Sequence, residues 1–258
     1  MTFVAGNNSI TEAKLEAAVE SPKLRSWVDA QLRAGVFNVS TVTVKDIKFF
    51  GPVKPEKLGF VMVEAEATEV STGDNVAATC AFIRGDSVAV FVHASVVDGD
   101  GDEVGSYIIL TDQTRFPMGK RLREACAGCV DSNTGKIAGV ALNELKEELG
   151  VEVSLNDLTP LGSFIPSGGG TFEEIHLYYT KIELSEEQYR EKMEKTFGDG
   201  PSEKIRLVFE PVGNFDSVLD DIGDAKAECA WRRILNRGLI TRQVERVGGG
   251  RSSSMFSC

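Results

Sequence analysis

The chain has 258 residues, of which 42% are hydrophobic and 26% charged, and its net charge is −11. This length and balance are typical of a soluble protein with one large core or two small ones. The acidic charge and the lack of a basic stripe exclude a nucleic-acid backbone as partner. No apolar run reaches the roughly 18 residues that a membrane span needs.

Residues 1–35 predict helices. Ser9 with Glu12 is typical of a capping box, and a second helix is expected over Lys23–Arg33, ended by Gly35. The acidic residues that recur in the first helix fit neither a secretory signal nor a transit peptide. We therefore expect a cytoplasmic protein.

The next stretch of the chain predicts β-strands. Alternating and β-branched runs lie at Val39–Phe50, Gly59–Val70, Ala77–Ile83, Ser87–Val97 and Ser106–Thr111. The linker Asp98-Gly99-Asp100-Gly101-Asp102 contains part of an EF-hand pattern but lacks the other ligands and the closing glutamate. A hairpin turn is therefore favoured over a calcium loop.

Beyond residue 150, strands and helices alternate. Strands are expected at Leu161–Ile165, Glu174–Leu184 and Ile205–Phe209, and helices from the Ser185/Gln188 cap to about Phe197 and over Asp224–Asn236. The order predicts an α+β fold, an α/β/α sandwich with N-terminal helices. We expect a helical segment at 1–35, a small β-rich unit at 36–75, the sandwich at 76–245 and a disordered tail at 246–258.

Between these regions lies an acidic helix, Asn143-Glu144-Leu145-Lys146-Glu147-Glu148-Leu149, which Gly150 ends. At 100° per residue, Glu148 lies about 40° from Glu144 and Glu147 about 60° to the other side, so one face carries all three acids. Like charges at this spacing cost roughly 0.2–0.5 kcal/mol per pair. A divalent cation bound through oxygen would offset that cost; the alternative is a solvated acidic face beside an apolar stripe.

Cys126-Ala127-Gly128-Cys129 has the spacing of a redox pair or of half a zinc site. A zinc site needs two more ligands, and a redox pair usually opens a helix after a strand. A chance spacing is favoured over either, and five cysteines without a signal fit a reducing compartment.

The stretch from Gly128 to Val151 resembles the Nudix box, G-x5-E-x7-R-E-U-x-E-E-x-G-U with U apolar. The residues that fit its second half are Glu144, Leu145, Glu147, Glu148, Gly150 and Val151. Gly128 opens the box with one extra residue in the loop, Gly135 stands at the early glutamate, and Asn143 stands at the arginine. Asparagine can bond a carboxylate but brings no charge, so we expect a working but slower enzyme.

Further matches resemble the ADP-sugar and UDP-sugar diphosphatase branch of the Nudix superfamily, over roughly residues 36 to 240. They are the loop Ile165–Glu174 with its proline, serine and glycines, and the segments Phe82–Val90, Thr111–Pro117 and Glu203–Val208. The resemblance implies hydrolysis of a nucleoside diphosphate sugar (of the ADP-ribose, ADP-glucose or UDP-glucose type) to a nucleoside monophosphate and a sugar phosphate. It also implies a homodimer, to which the N-terminal unit contributes.

Cleavage of a diphosphate needs its charge neutralised and a water made nucleophilic, and bound Mg²⁺ does both. Mg²⁺ is usually bound by one or two carboxylates, substrate oxygens and water. Glu144 and Glu148 are therefore the predicted ligands, with Glu147 beside them as a catalytic carboxylate and Mn²⁺ as the alternative ion. The resemblance adds the backbone carbonyl of Ala127.

Two further acids are assigned by the resemblance. Glu173 matches the acid after the glycines and is favoured as a metal ligand over Glu174, because only one of two successive strand residues can face the site. Glu203 matches the general base, on a loop that Gly198–Pro201 would allow to close over the substrate. Glu194 is the alternative base, and a solvated surface acid is the other interpretation of each.

The substrate-binding candidates are two arginines and a loop. Arg84 and Arg115 stand at the ends of predicted strands, and their planar guanidinium groups suit phosphate; surface cations are the alternative. Ser167 and Gly169 belong to a loop whose backbone N–H groups a phosphate or ribose can approach. Glu124 is expected to support the metal ligands.

Three classes of function stay open. The first is Mg²⁺-dependent hydrolysis of a nucleoside diphosphate sugar. The second is a nucleotide-sugar binding or sensor module that has kept the pocket but lost turnover. The third is an acidic structural partner whose likeness to the box is a coincidence.

Overall fold

The computed structural model describes residues 1–130, 137–198 and 204–241. These residues form thirteen β-strands: β1 (Thr2–Ala5), β2 (Phe37–Phe49), β3 (Leu58–Glu69), β4 (Cys80–Ile83), β5 (Ser87–Val97), β6 (Glu103–Arg115), β7 (Lys120–Glu124), β8 (Cys126–Cys129), β9 (Thr159–Phe164), β10 (Thr171–Phe172), β11 (Ile175–Ser185), β12 (Thr196–Phe197) and β13 (Ile205–Pro211). The six α-helices of the same residues are α1 (Glu12–Val19), α2 (Pro22–Ala34), α3 (Ile137–Leu149), α4 (Glu186–Glu194), α5 (Phe215–Ile222) and α6 (Ala225–Asn236).

The first sheet has the strand order β1-β2-β3-β4-β10 and packs against α1 and α2. Its long central pair, β2 and β3, matches the alternating runs predicted there. Strand β1 was not predicted; it runs parallel to β2, with Thr2 opposite Thr41. Because β4 and β10 join this sheet from beyond residue 75, it draws strands from more than the predicted 36–75 unit. The division into domains stays a prediction.

The caps of the first two helices differ in how well the sequence indicated them. Helix α2 begins at Ser21, whose hydroxyl accepts from Leu24 N, and ends at Gly35 with φ 60°. The ending at Gly35 agrees with the prediction, whereas the Ser21 cap was not predicted. The predicted capping box at Ser9 is wrong, because the N-cap of α1 is Thr11. Ser9 instead donates its hydroxyl to the side chain of Asn7.

The second sheet has the order β12-β13-β6-β5-β11-β9, with β7 paired to β6 and β8 paired to β5. Alternate residues of the buried strand β5 face two apolar layers. Its odd-numbered residues pack with α5 and α6, and its even-numbered residues pack with α3 and α4. The predicted α/β/α sandwich is therefore confirmed.

Strand β8 was not predicted, and it decides where the site lies. Strand β6 pairs with β5 only from Val92 onward, while β8 takes its place beside the first half of β5, with Ser87 opposite Cys129. Helix α3 packs across β8. The acidic helix is thereby held beside the edge of the sheet.

Two turns agree with the predictions in kind. The Asp98–Asp102 segment is a hairpin turn, in which Asp98 accepts from the amides of Asp100 and Asp102. The Ser185/Gln188 capping box is present at α4. This helix ends at Glu194 instead of near Phe197, because Thr196–Phe197 pairs with β13.

No helix within the described ranges is long and apolar enough to cross a membrane. The predicted tail at 246–258 lies outside the described residues.

Candidate functional site

Helix α3 carries the acidic face that the sequence predicted. Leu145 and Leu149 are fully buried, and Glu148 is only 5% exposed, whereas Glu144 is half-buried and Glu147 is exposed. The helix ends at Gly150, with φ 61°, where Val151 N donates to Leu145 O at 3.0 Å. Gly150 N also donates to Lys146 O at 3.1 Å, and this bond is the one that defines the αL type of helix cap. The helix therefore stops one residue beyond its last buried leucine, as the box pattern requires.

Both buried carboxylates lie against strand β8. The amide of Ala127 donates to Glu148 Oε2 at 3.2 Å. The Glu144 carboxylate lies over Gly128, where a Cβ would be only 1.7 Å from Oε1. A residue with a side chain at position 128 would therefore displace Glu144, which gives a steric reason for the glycine that opens the box.

The backbone of β8 adds an oxygen to this edge. Val130 N donates to Asp86 O on the β5 side. Because N–H and C=O of one residue point the same way in an antiparallel ladder and alternate along the strand, those of Ala127 point away from β5. The Ala127 carbonyl is thus directed to the side on which its amide meets Glu148.

The donor atoms of these groups, and the number of them, suit a hard cation. Two carboxylates and a carbonyl are oxygen donors, and Mg²⁺ needs few protein ligands because substrate and water supply the rest. The described ranges contain no group of three His, Cys, Asp or Glu side chains placed to hold a metal. Glu144 and Glu148 with Ala127 would therefore hold such an ion together with its substrate, and Glu173 is not gathered with them.

Cys126 is buried beside the two glutamates. Burial, and then the negative charges of Glu148 and Glu144, raise the pKa of this thiol well above its usual value. A thiol of raised pKa is a weak nucleophile. Cys129 is exposed and both thiols are free. Since the two lie three residues apart on an extended strand, roughly 10 Å, they are too far apart for a disulfide.

Glu173 belongs to a second cluster, on the α6 side of the sheet. Ser87 Oγ donates to Glu173 Oε1 at 2.6 Å, and Arg84 Nη1 lies 3.5 Å from the same oxygen. Arg84 Nη2 also donates to Cys129 Sγ at 3.1 Å. Burial lowers the pKa of Arg84, but Cys129 and Glu173 outweigh it and the pKa is raised. The predicted metal ligand and the predicted phosphate arginine thus contact each other.

Glu174 and the glycine loop lie beside this cluster. Glu174 is exposed and accepts from the hydroxyl of Ser163. Both acids lie between β10 and β11, so the strand alternation used to choose between them does not apply. Ser167 and Gly169 are exposed. The loop is tied to the first sheet because Phe82 N donates to Gly170 O at 2.8 Å. It lies at the junction of the two sheets.

Arg115 is held by a buried carboxylate. Its Nε lies 2.5 Å from Glu124 Oε1, and the opposite oxygen of Glu124 receives Lys226 Nζ at 3.1 Å. Lys226 also contacts Asp224 at 2.8 Å. Glu124 therefore binds two cations, and its support of the metal ligands stays a prediction. The sequence offered no signal for Lys226, which stands in an ordinary amphipathic helix.

Some predicted positions lie away from this geometry. Glu203 and Gly135 are outside the described residues. Glu194 is exposed at the last residue of α4.

A cleft of about 750 Å³ lies at the first sheet, lined by residues such as Phe37, Ala65 and Val76. It is remote in the fold from Glu144 and Glu148, so the candidate site is an open sheet edge rather than this cleft.

Comparison with known proteins supports the resemblance of the candidate site to the Nudix box. The chain is 27% identical over 220 residues to "Nudix hydrolase 14, chloroplastic" of Arabidopsis thaliana, an alignment that covers 80% of this chain and 69% of that protein. The chain is thus similar to a Nudix hydrolase, and the predicted resemblance to the Nudix superfamily is confirmed. Helix α3 and Gly128 are the described parts of the chain that carry the resemblance to the Nudix box.

Two other comparisons add less. No protein-family model matches the chain. A solved structure described as "Crystal structure of ADP compounds hydrolase" aligns with 79% of this chain and 99% of its own, at 14% identity and a TM-score of 0.47. That likeness is too distant to bear on the substrate of this chain.

Proposed function

We propose that this chain is a hydrolase that cleaves the diphosphate bond of a nucleoside diphosphate sugar, to a nucleoside monophosphate and a sugar phosphate. The observation that carries the proposal is the pairing of Glu144 and Glu148 with strand β8 through Gly128 and Ala127. The relation to a Nudix hydrolase supports hydrolysis of a nucleotide diphosphate. The sugar is the finer part of the proposal.

The metal of the proposed reaction is Mg²⁺, with Mn²⁺ as the alternative. Glu144, Glu148 and the Ala127 carbonyl would hold it, and it would neutralise phosphoryl oxygens and lower the pKa of a bound water. Glu147, exposed one residue from Glu148, is proposed to stay on the solvent side as a catalytic carboxylate. Glu203 is proposed as the general base.

The proposed substrate contacts are cationic and backbone groups. Arg84 and Arg115 lie close enough that the charge of Arg115 lowers the pKa of Arg84. Two converging guanidinium groups suit the adjacent anions of a diphosphate. Ser167 and Gly169, in the loop tied to β4, would contact the sugar or ribose. The charge of −11 makes such local cations necessary for an anionic substrate.

Assembly and location are also proposals. We propose a homodimer in a cytoplasmic setting, without nucleic-acid or membrane partners. The Arabidopsis relative is chloroplastic by its name. Light scattering of the purified protein and imaging of a fluorescent fusion in cells test these two points separately.

The function is tested by incubating the protein with ADP-ribose, ADP-glucose and UDP-glucose in the presence of Mg²⁺ and measuring nucleoside monophosphate. Wild type should release it, and Glu148→Gln should abolish the release. Glu152→Gln is the matched control, because Glu152 is exposed and forms an ion pair with the surface residue Lys146. Release of nucleoside monophosphate by wild type and by Glu152→Gln, but not by Glu148→Gln, supports the proposal.

The alternative is a binding module without turnover, and Asn143 in place of the box arginine is the observation that favours it. Calorimetry with ADP-ribose distinguishes the two functions. Tight binding without Mg²⁺ and without product would favour the sensor. Product formation that survives in Glu148→Gln would contradict the proposed site.

A further inference from the structure

A network of four charged side chains links the partly exposed Arg115 to three mostly buried groups at the start of α6 and the end of β7. Arg115 Nε contacts Glu124 Oε1 at 2.5 Å, Lys226 Nζ contacts Glu124 Oε2 at 3.1 Å, and Lys226 Nζ contacts Asp224 Oδ1 at 2.8 Å. The other Asp224 oxygen accepts from Ala125 N at 2.9 Å. The network thus joins β6, the β7–β8 junction and α6.

The network has two positive and two negative side chains, and all of them except Arg115 are little exposed. The side chain of Glu124 is 8% exposed and that of Lys226 is 17% exposed. Burial raises the pKa of Glu124, but the hydrogen bond from Arg115 and the charges of Lys226 and Arg115 outweigh it, so the pKa lies below its usual value. Burial likewise lowers the pKa of Lys226, and Asp224 and Glu124 raise it overall. Glu124 and Lys226 are therefore both charged at neutral pH.

The geometry divides the two oxygens of Glu124 between two cations. Lys226 takes one oxygen and leaves the other for Arg115, whose guanidinium is consequently bound through Nε. Without the ammonium group, a carboxylate can accept both N–H groups of an arginine fork at once. Arg115 would then rotate toward Glu124. The position of its fork depends on which oxygens of Glu124 are already occupied.

We propose that Lys226 is a positioning residue that acts through Glu124 to aim Arg115 at the diphosphate of the substrate. The inference rests on the proposed function in so far as Arg115 is a substrate-binding residue. Asp224 is part of the same device, since it fixes both Lys226 and the Ala125 amide, two residues before Ala127. The start of α6 is thereby coupled to the strand that bears the candidate site.

The test is a double-mutant cycle of wild type, Lys226→Met, Arg115→Lys and the double variant, assayed with ADP-ribose and Mg²⁺. Lys226→Met should raise KM roughly tenfold, the size of one lost charge-assisted hydrogen bond, with kcat changed far less. In the Arg115→Lys background it should raise KM no further, because the group that it positions is gone. Lys226→Arg should restore most of the affinity, and Lys146→Met, on an exposed surface, is the control for loss of a lysine.

A second readout does not need turnover. The Nε–H resonance of Arg115, assigned by its loss in Arg115→Lys, should shift in Lys226→Met and not in Lys146→Met. An unchanged KM and resonance in Lys226→Met, or equal increases in KM in both backgrounds, would overturn the proposal. If wild type releases no product, the proposed function fails, while the resonance still decides whether Lys226 positions Arg115.

Discussion

Strand β5 carries a polar cluster at each end, and the two clusters are built differently. At its start, Ser87 binds Glu173, and beside it Glu144 and Glu148 bring two negative charges to the buried thiol of Cys126. At its far end, His93 lies between Tyr179 and Ser106, with Nδ1 3.1 Å from the Tyr179 hydroxyl and Nε2 2.8 Å from Ser106 Oγ.

The difference lies in charge. The far cluster is held by neutral groups in mutual hydrogen bonds, because burial lowers the pKa of His93 to about 4 and raises that of Tyr179 to about 12. At the near end, Glu144 and Glu148 bring two carboxylates close together, and a bound cation would offset their mutual repulsion. The near end is therefore where we expect function.

The largest effect should come from Gly128→Ala. A Cβ at this position would lie 1.7 Å from Glu144 Oε1, so the carboxylate must move. We expect kcat/KM to fall by roughly 1000-fold, as for the loss of several kcal/mol of metal-dependent stabilisation. Gly213→Ala, where a Cβ would meet nothing within 4 Å, is the control and should leave activity unchanged. Equal activity of the two variants would show that Glu144 does not act at β8.

The next effect concerns stability at the other end of the strand. The folded pKa of His93, about 4, lies below its ordinary value of 6.5, so the unfolded chain takes up the proton first as pH falls. Stability linked to His93 is therefore present above pH 6.5 and lost between 6.5 and about 4, amounting to about 3 kcal/mol. The charge of Lys181 adds to this shift and that of Glu103 opposes it.

Urea unfolding of wild type and His93→Gln at pH 7.5 and 4.5 tests this linkage. Carboxylates elsewhere contribute equally to both proteins, so the variant should lose about 3 kcal/mol less on acidification. Glu148→Gln leaves His93 in place, so the loss of stability linked to His93 should be the same in this variant as in wild type. A drop of equal size in His93→Gln would mean that another group accounts for the acid sensitivity.

The sequence predicted the parts of the fold that depend on local pattern. The run Ser87–Val97 was located because both of its faces are apolar or β-branched, and α3 because three leucines recur at helical spacing. The Nudix box specified Glu144 and Glu148 without any knowledge of the sheet. Such features are local in sequence, since their side chains alone determine the period of the pattern.

The unpredicted parts depend on contacts distant in sequence. Strand β8, Cys126-Ala127-Gly128-Cys129, has no alternating pattern and is a strand only because β5 offers it a pairing edge. The ion pair between Arg84 and Glu173 joins residues 89 positions apart, and that between Glu124 and Lys226 joins residues 102 apart. A single sequence carries no signal for such pairs, because surface and buried charges look alike in it.

A smaller effect should follow from restoring the box at Asn143. This residue is exposed on α3 beside Glu144, and arginine there would add a positive charge next to the carboxylates. Groups that orient metal ligands are worth about 10–100-fold in metal affinity. We therefore expect Asn143→Arg to lower the Mg²⁺ concentration for half-maximal activity by about tenfold. Asn143→Lys, which lacks the planar fork, should improve it less; equal gains would point to charge alone.

The smallest effect is expected at Cys129, and it tests whether the C-x-x-C spacing has a meaning. Its thiol accepts from Arg84 Nη2, and a serine hydroxyl can accept the same bond. We expect Cys129→Ser to change KM less than about twofold, since one hydrogen bond from the Arg84 guanidinium is exchanged for another. Treatment of wild type with diamide, followed by mass spectrometry under non-reducing conditions, should leave Cys126 reduced, because it is buried and its partner lies too far along the strand. A Cys126–Cys129 disulfide, or a large rise in KM in the serine variant, would mean that β8 opens in solution and that this edge of the sheet is less rigid than the far end.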